Sequence, residues 1–172
     1  MTETLPDAVA ALIGQPQYQE QTEFPIESGY IYTTCASTQN GNPLFWDAQT
    51  AQALTGGPIA PPTMLSVWFR PHYWSPGAEG ERTPLRTHFE LKRLLELPEA
   101  VITDNEVVFG APVRPGDTLH TRQVIRSISV PKTTKLGRGR FWVIDVEYTN
   151  QHGEFVGTDT YTAFGYVRGG EQ

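Results

Sequence analysis

Thr38–Trp68 reads TQNGNPLFWDAQTAQALTGGPIAPPTMLSVW, and the way this stretch divides decides the fold. Asn40-Gly41-Asn42-Pro43 predicts a turn, followed by a short helix over Leu44–Leu54. Gly56-Gly57-Pro58 breaks that helix. Pro61-Pro62 then opens a second one, because a residue in the first turn has no use for its N–H. This second helix is predicted over Pro62–His72 and carries Met64, Leu65, Val67, Trp68 and Phe69 with no polar stripe. A helix that is apolar all round is buried. In a chain of 172 residues, a buried helix needs a sheet around it.

The C-terminal half supplies the strands. Ala100–Val113, Thr118–Val130, Phe141–Thr149 and Glu154–Val167 alternate apolar and polar residues, and short turns separate them. Arg114-Pro115-Gly116-Asp117 is one such turn, and short turns predict antiparallel pairing of successive strands. Tyr18–Ile26 is predicted as an edge strand, where Pro25 is tolerated. Pro6–Ile13 reads as a short outer helix closed by Gly14, and Leu85–Leu97 as an amphipathic helix ended by Pro98. Between Arg70 and Thr83, prolines and glycines predict an irregular loop. The class is α+β: an antiparallel sheet of about five strands wrapped around one central buried helix, which is the hotdog fold. With no internal repeat, residues 1–172 are expected to form a single hotdog domain with its core over about 18–168.

Composition narrows the partners. Hydrophobic residues make up 38% and charged residues 19%, which is ordinary for a globular chain. A net charge of −6 argues against nucleic acid or an anionic membrane as a partner. The one cysteine, Cys35, rules out an internal disulfide and suits a reducing compartment. The N-terminal residues MTETLPDAVAALIG lack the basic and apolar regions of a signal peptide, and no run is long enough to span a membrane. A cytoplasmic location is expected.

The segment Asn40–Asp47, N-G-N-P-L-F-W-D, resembles the acid-x-Asn-Pro-Leu-His-x-Asp signature of MaoC-like hydratases and dehydratases, which act on acyl-CoA or acyl-carrier-protein thioesters. Asn40 stands where that family carries its catalytic Asp, and Phe45 where it carries its catalytic His. Three further phrases are similar to the FAS1-like dehydratase N-terminal branch: IAPPTMLSVW, PVRPGDTL, and KTTKLGRGRFWVIDVEYTNQHGEFVGT. Tyr30-Ile31-Tyr32-Thr33-Thr34 has the composition of a strand, whereas the resemblance implies a helix over Glu27–Thr38 leading into the signature turn. The branch includes the non-catalytic partners of heteromeric dehydratases and the hydratase-like domain of heteromeric steroid side-chain hydratases.

Hydration of a trans-2-enoyl thioester needs a base to activate water, an acid to protonate C2, and donors for the developing enolate oxygen. Neither asparagine nor phenylalanine exchanges a proton near neutral pH. The resemblance therefore implies a substrate-binding, catalytically silent subunit of an enoyl-CoA hydratase. Its partner would be a second MaoC-like hotdog subunit with an intact Asp/His dyad, in a heterodimer or heterotetramer. The acyl group it implies is bulky and steroid-like. No cofactor is implied beyond the coenzyme A of the substrate, and no metal. Two alternatives stay open, a homo-oligomeric hydratase or thioesterase and a non-enzymatic acyl-CoA scaffold.

The expected substrate contacts are Asn42, Pro61, Pro62, Thr63, Met64, Trp68 and His72, with Lys132, Lys135 and Arg138 on the coenzyme A phosphates. Each has a plainer reading. Asn40 closes an Asx turn, Asn42 caps a helix, and the cations sit on a solvated hairpin tip with Arg140. Phe45 and Trp46 are expected at a subunit interface or pocket wall. His88, His120 and His152 show no metal spacing, and Cys35 has no neighbour to activate it.

Overall fold

Trp142, Ile144, Val146 and Tyr148 recur at every second position, so one strand presents four large side chains to the same face. That strand is β5 (Gly137–Asn150), and it forms the spine of the molecule. The computed structural model describes residues 4–70, 76–77 and 83–169. Around β5 lie β1 (Pro16–Gln21), β2 (Glu99–Phe109), β3 (Leu119–Ile128) and β6 (Phe155–Val167), with the three-residue β4 (Lys132–Thr134) beside the start of β5. The sheet is antiparallel in the order β1-β3-β5-β6-β2. β1 is an edge strand, and its Pro25 neighbour falls outside it. Four α-helices are described: α1 (Asp7–Ala10), α2 (Ser28–Ser37), α3 (Ala48–Thr55) and α4 (Arg86–Leu94). Among the described residues no helix is long and apolar enough to cross a membrane.

Two expectations change. β2 and β3 follow one another in sequence, yet they do not pair. Among the described residues β2 pairs with β6 alone, and β3 lies on the far side of β5. Residues 110–118 therefore carry the chain across the end of the sheet instead of closing a hairpin. Gly110 and Ala111 N–H still donate to β6, at Val156 O and Phe155 O, and further on the bonds go to the segment before α2: Ile26 N–H donates to Asp117 O at 2.8 Å, and Gly116 N–H to Ile26 O at 2.8 Å.

The second change concerns the predicted central helix over Pro62–His72. The described part of it is two single 3₁₀ turns, Pro62–Met64 and Val67–Phe69. Two prolines contribute no N–H to start a ladder, Val67, Trp68 and Phe69 are poor helix formers, and Arg70 is extended because Pro71 follows it. His72 lies outside the described residues. The burial itself holds for Met64 and Leu65, while Trp68 is half-buried.

The inner face of the sheet carries two apolar clusters. At the β5 end near residue 148, Ile31 and Cys35 of α2 join Met64, Leu65, Leu119, Val146, Tyr148 and Val156. Towards residue 142, Leu91 of α4 joins Val9, Leu97, Ile125, Trp142, Ile144 and Ala163. Glycine permits this close packing at two positions of β6. A Cβ on Gly165 would lie 2.1 Å from the Trp142 ring, and one on Gly157 would lie 2.7 Å from Leu65 Cδ2. Arg114 fixes α3 to the crossing segment by donating to the carbonyls of Thr55, Gly57 and Pro58, which closes the helix C-terminus.

Candidate functional site

α2 ends at Ser37, and the chain reverses through Gln39 at φ +53° into the signature segment. Asn40 N–H donates to Cys35 O at 2.8 Å, while its side-chain Oδ1 accepts from Asn42 N–H at 3.2 Å. Asn42 Oδ1 in turn accepts from Leu44 N–H at 3.0 Å and caps the 3₁₀ turn Pro43–Phe45. Both asparagines thus hold their own backbone, as turn-forming asparagine does. The predicted helix over Leu44–Leu54 splits here into that turn and α3. Asp47 starts α3 by accepting from Thr50 Oγ1 at 2.6 Å and Thr50 N–H at 2.8 Å. These bonds, the hydroxyl's first, hold its carboxyl below the usual carboxylate range. Asp47 is an N-cap, and a carboxylate so stabilised is a weak base.

Trp46 Nε1–H donates to Asn40 O at 2.7 Å, and its exposed ring stacks on Tyr32 at 5.4 Å. Phe45 is half-buried and, with Ile31, Tyr32, Trp46, Ala51 and Ile59, lines a cavity of about 60 Å³. That volume is about two water molecules' share of the liquid, far below what a ligand pocket occupies.

The remaining expected contacts separate into two places. Pro61 and Met64 are buried, Pro62 and Thr63 exposed, and all border the Phe45 end of the sheet. Met64 N–H is already used, donating to Pro61 O at 2.9 Å, and the two prolines have no N–H. The start of this segment therefore has few donors for an oxyanion. Lys132, Lys135 and Arg138 lie at the other end of β5 and are exposed. Ten residues of strand separate Arg138 from Tyr148, roughly 33 Å. The structure does not bring these cations to the signature turn. Arg140 is not one of the hairpin cations: it is buried and donates to Ser129 O at 2.6 Å.

His88 is buried, unlike a histidine on a solvated helix face, and its Nδ1 accepts from Trp142 Nε1–H at 3.3 Å. Burial, then the nearby Lys92 charge, pushes its pKa down. His120 and His152 are exposed, and no cluster of potential metal ligands exists among the described residues. Cys35 is buried in the first cluster, and burial pushes its thiol up, away from nucleophilic use.

A group that sequence reading missed lies on β6. Asp159 is 5% exposed and faces inward, between Val146 and Val107 in register. It accepts from Tyr161 Oη at 2.6 Å and from Asn105 Nδ2 at 2.5 Å. Tyr148 stands near enough for the Asp159 charge to raise its phenol, after burial, which raises it most. The signal was present in the strand. Gly157, Asp159, Tyr161, Ala163 and Gly165 share the inward parity, and an Asp in that row is out of place in a core.

Residues 11–159 match the family described as FAS1-like, dehydratase domain region. The chain is 30% identical over 156 residues to the probable enoyl-CoA hydratase alpha subunit of Thermomonospora curvata, which covers 87% of this chain and 47% of that protein. It thus spans about half the length of that curated relative. It superposes on a chain of the ChsH1–ChsH2 complex from Mycobacterium tuberculosis with a TM-score of 0.79 at 21% identity, over 96% of this chain and 92% of that one. On a chain of the C-terminally truncated HadBC (3R-hydroxyacyl-ACP dehydratase) complex of the same organism the TM-score is 0.58 at 20% identity, over 90% and 97%. At those identities the two structures speak for the fold.

Proposed function

The chain belongs to the FAS1-like dehydratase domain family, and on that premise we propose that it is the substrate-binding, catalytically silent subunit of a heteromeric MaoC-like enoyl-CoA hydratase. The observation that carries this reading is the signature turn. Asn40 spends its side-chain oxygen on Asn42 N–H, and Phe45 packs into the core where an imidazole would be needed. Asp47, the nearest carboxylate in sequence, is occupied as a helix cap. The base and acid of the hydration step then come from a second hotdog subunit with an intact Asp/His dyad.

The free edge of the sheet supports such a partner. β2 has eleven residues, pairs on one side only among the described residues, and leaves Val101, Ile102, Val107, Val108 and Phe109 exposed. A long apolar edge is a surface for strand pairing with another chain. The small Phe45 cavity has no room for an acyl group, so the ligand space lies over the uncovered inner face of β2 and is completed by the partner. The acyl group is bulky and steroid-like in this reading, in line with the resemblance of the sequence to steroid side-chain hydratases.

The test is hydration of trans-2-enoyl-CoA by the purified chain, alone and co-expressed with a hotdog chain that retains the acid-x-Asn-Pro-x-His signature. No turnover is expected from the chain alone. Activity of the pair should fall on the order of a hundredfold to ten-thousandfold when the partner's His is replaced. Asn40→Ala should leave the rate of the pair within a few fold, since a local hydrogen bond is worth about 1 kcal/mol. Turnover by the chain alone at about one per second or faster would overturn the proposal in favour of a homo-oligomeric enzyme.

A further inference from the structure

Asp159 is a buried carboxylate without a cation: no Lys, Arg or His pairs with it among the described residues. Burying a charge without a counter-charge is costly, and two hydrogen bonds offset only part of the cost. A carboxylate has about four lone-pair positions, and Tyr161 and Asn105 occupy two. Some capacity to accept therefore remains on the inner face of the sheet.

Unused donors lie in the same cluster. Tyr148 is 3% exposed, and its hydroxyl makes no hydrogen bond among the described residues. Trp68 Nε1 is buried and has no acceptor. Both side chains belong to the apolar cluster that contains Tyr161, and Phe69, next to Trp68, meets the Tyr148 ring at 5.6 Å. Tyr148 shares the inward face with Asp159, which faces Val146 two positions along β5, so an unbonded phenol and a carboxylate with open lone pairs stand side by side as a polar site lacking its occupant.

The surroundings describe the rest of that occupant. On the β2 side, Asn105, Val107 and Phe109 share the inward face with Asp159 and are exposed, so the site opens along β2. Apart from Asn105, this approach is apolar. We propose that Asp159 and Tyr148 form a subsite for the hydroxyl of an otherwise apolar acyl chain, the alcohol donating to the carboxylate and accepting from the phenol. A ketone oxygen engages only the phenol and leaves the open lone pairs of Asp159 unmatched, so the alcohol is the preferred ligand. In this subsite Asp159 acts in recognition. This inference rests on the acyl-CoA-binding reading and specifies its substrate class.

The experiment measures dissociation constants of the full chain, alone and co-expressed with its hotdog partner. The probes are saturated acyl-CoA thioesters from octanoyl to hexadecanoyl, each as the plain, omega-hydroxy and omega-oxo form. Varying the length lets the distal oxygen reach the subsite. At one length the hydroxy form should bind about three- to tenfold more tightly than its plain parent, as one net hydrogen bond allows. That ratio should collapse towards one in Tyr148→Phe and in Asp159→Asn. Tyr148→Phe keeps the ring and removes only the idle hydroxyl, so it decides the matter even if Asp159→Asn does not fold. Equal binding of plain and hydroxy forms at every length, or a preference that survives Tyr148→Phe, overturns the subsite while leaving acyl-CoA binding intact. Preference for the oxo form overturns the role of Asp159. If no thioester binds to either preparation, the acyl-CoA reading falls and the subsite falls with it.

Discussion

The two apolar clusters on the inner face of one sheet are finished to different degrees. In the cluster around Trp142, the large residues are all but inaccessible and Trp142 Nε1–H is closed on His88 Nδ1, with Thr87 Oγ1 beside it on α4 the buried polar atom that has no partner among the described residues. In the cluster around Tyr148, residues of similar size leave a phenol and an indole N–H without partners among the described residues, and the carboxylate on the same face, Asp159, has two hydrogen bonds and no cation there. The same strands build both, since β5 contributes Trp142 and Ile144 to one and Val146 and Tyr148 to the other. On the reading proposed above, the Trp142 end serves stability and the Tyr148 end leaves room for a ligand.

Substitution at the closed end should therefore be the more damaging. Trp142→Ala removes a ring with no exposed surface that lies on Gly165, and the site has little means of collapsing. A loss of about 3–5 kcal/mol in denaturant unfolding is expected. A loss below about 1 kcal/mol would show that the two ends do not differ in this way.

Acid should also act on the closed end. His88 is held neutral by burial, so its pKa in the fold lies below its ordinary 6.5. As pH falls, the unfolded chain takes up the proton first. The stability contributed by neutral His88 is thus complete above about 6.5 and drains away below it, towards the lower pKa of the folded state. Unfolding measured across that window should show stability falling with acidification, and His88→Gln should flatten the slope. An unchanged slope in the variant would assign the pH dependence to other groups.

The smallest effect is expected at the open end. Tyr148→Phe removes a hydroxyl that bonds to nothing among the described residues. Stability should shift by no more than about 0.5 kcal/mol. A larger loss would mean that the hydroxyl has a structural duty and that the open end is closed after all.

Much of this architecture was legible in the sequence because alternation is a strong signal in a long strand. β5 and β6 fall close to their predicted places, whereas the helix over Ser28–Ser37 was implied by the family resemblance against a strand-like composition. The signature turn was legible for a different reason: Asn40, Asn42 and Asp47 act locally, each bonding within three residues. What was not legible depends on distant contacts. The neighbour of β2 is set by β6, and no turn residue encodes that. The apolar row Met64–Phe69 reads as a helix by composition, yet it flattens into 3₁₀ turns where prolines and poor helix formers meet the sheet. Asp159 needed the register of three strands before its burial and its partners became visible.

The crossing of the sheet by residues 110–118 has a consequence for synthesis on the ribosome. β2 and β3 emerge early, but their neighbours β6 and β5 are made last. Until then β2, with Val101, Ile102, Val107, Val108 and Phe109, has both edges open. Such a segment is prone to self-association while it waits. A chain stopped at residue 136, before β5, is therefore expected to sediment as aggregate. Charging Val101 and Val108 to Lys in that truncated chain should keep it in the supernatant. A soluble, dispersed truncation without those changes would show that some other segment shields β2 during the wait. The apolar edge that suits a partner in the finished molecule is, for the nascent chain, the stretch most in need of a chaperone.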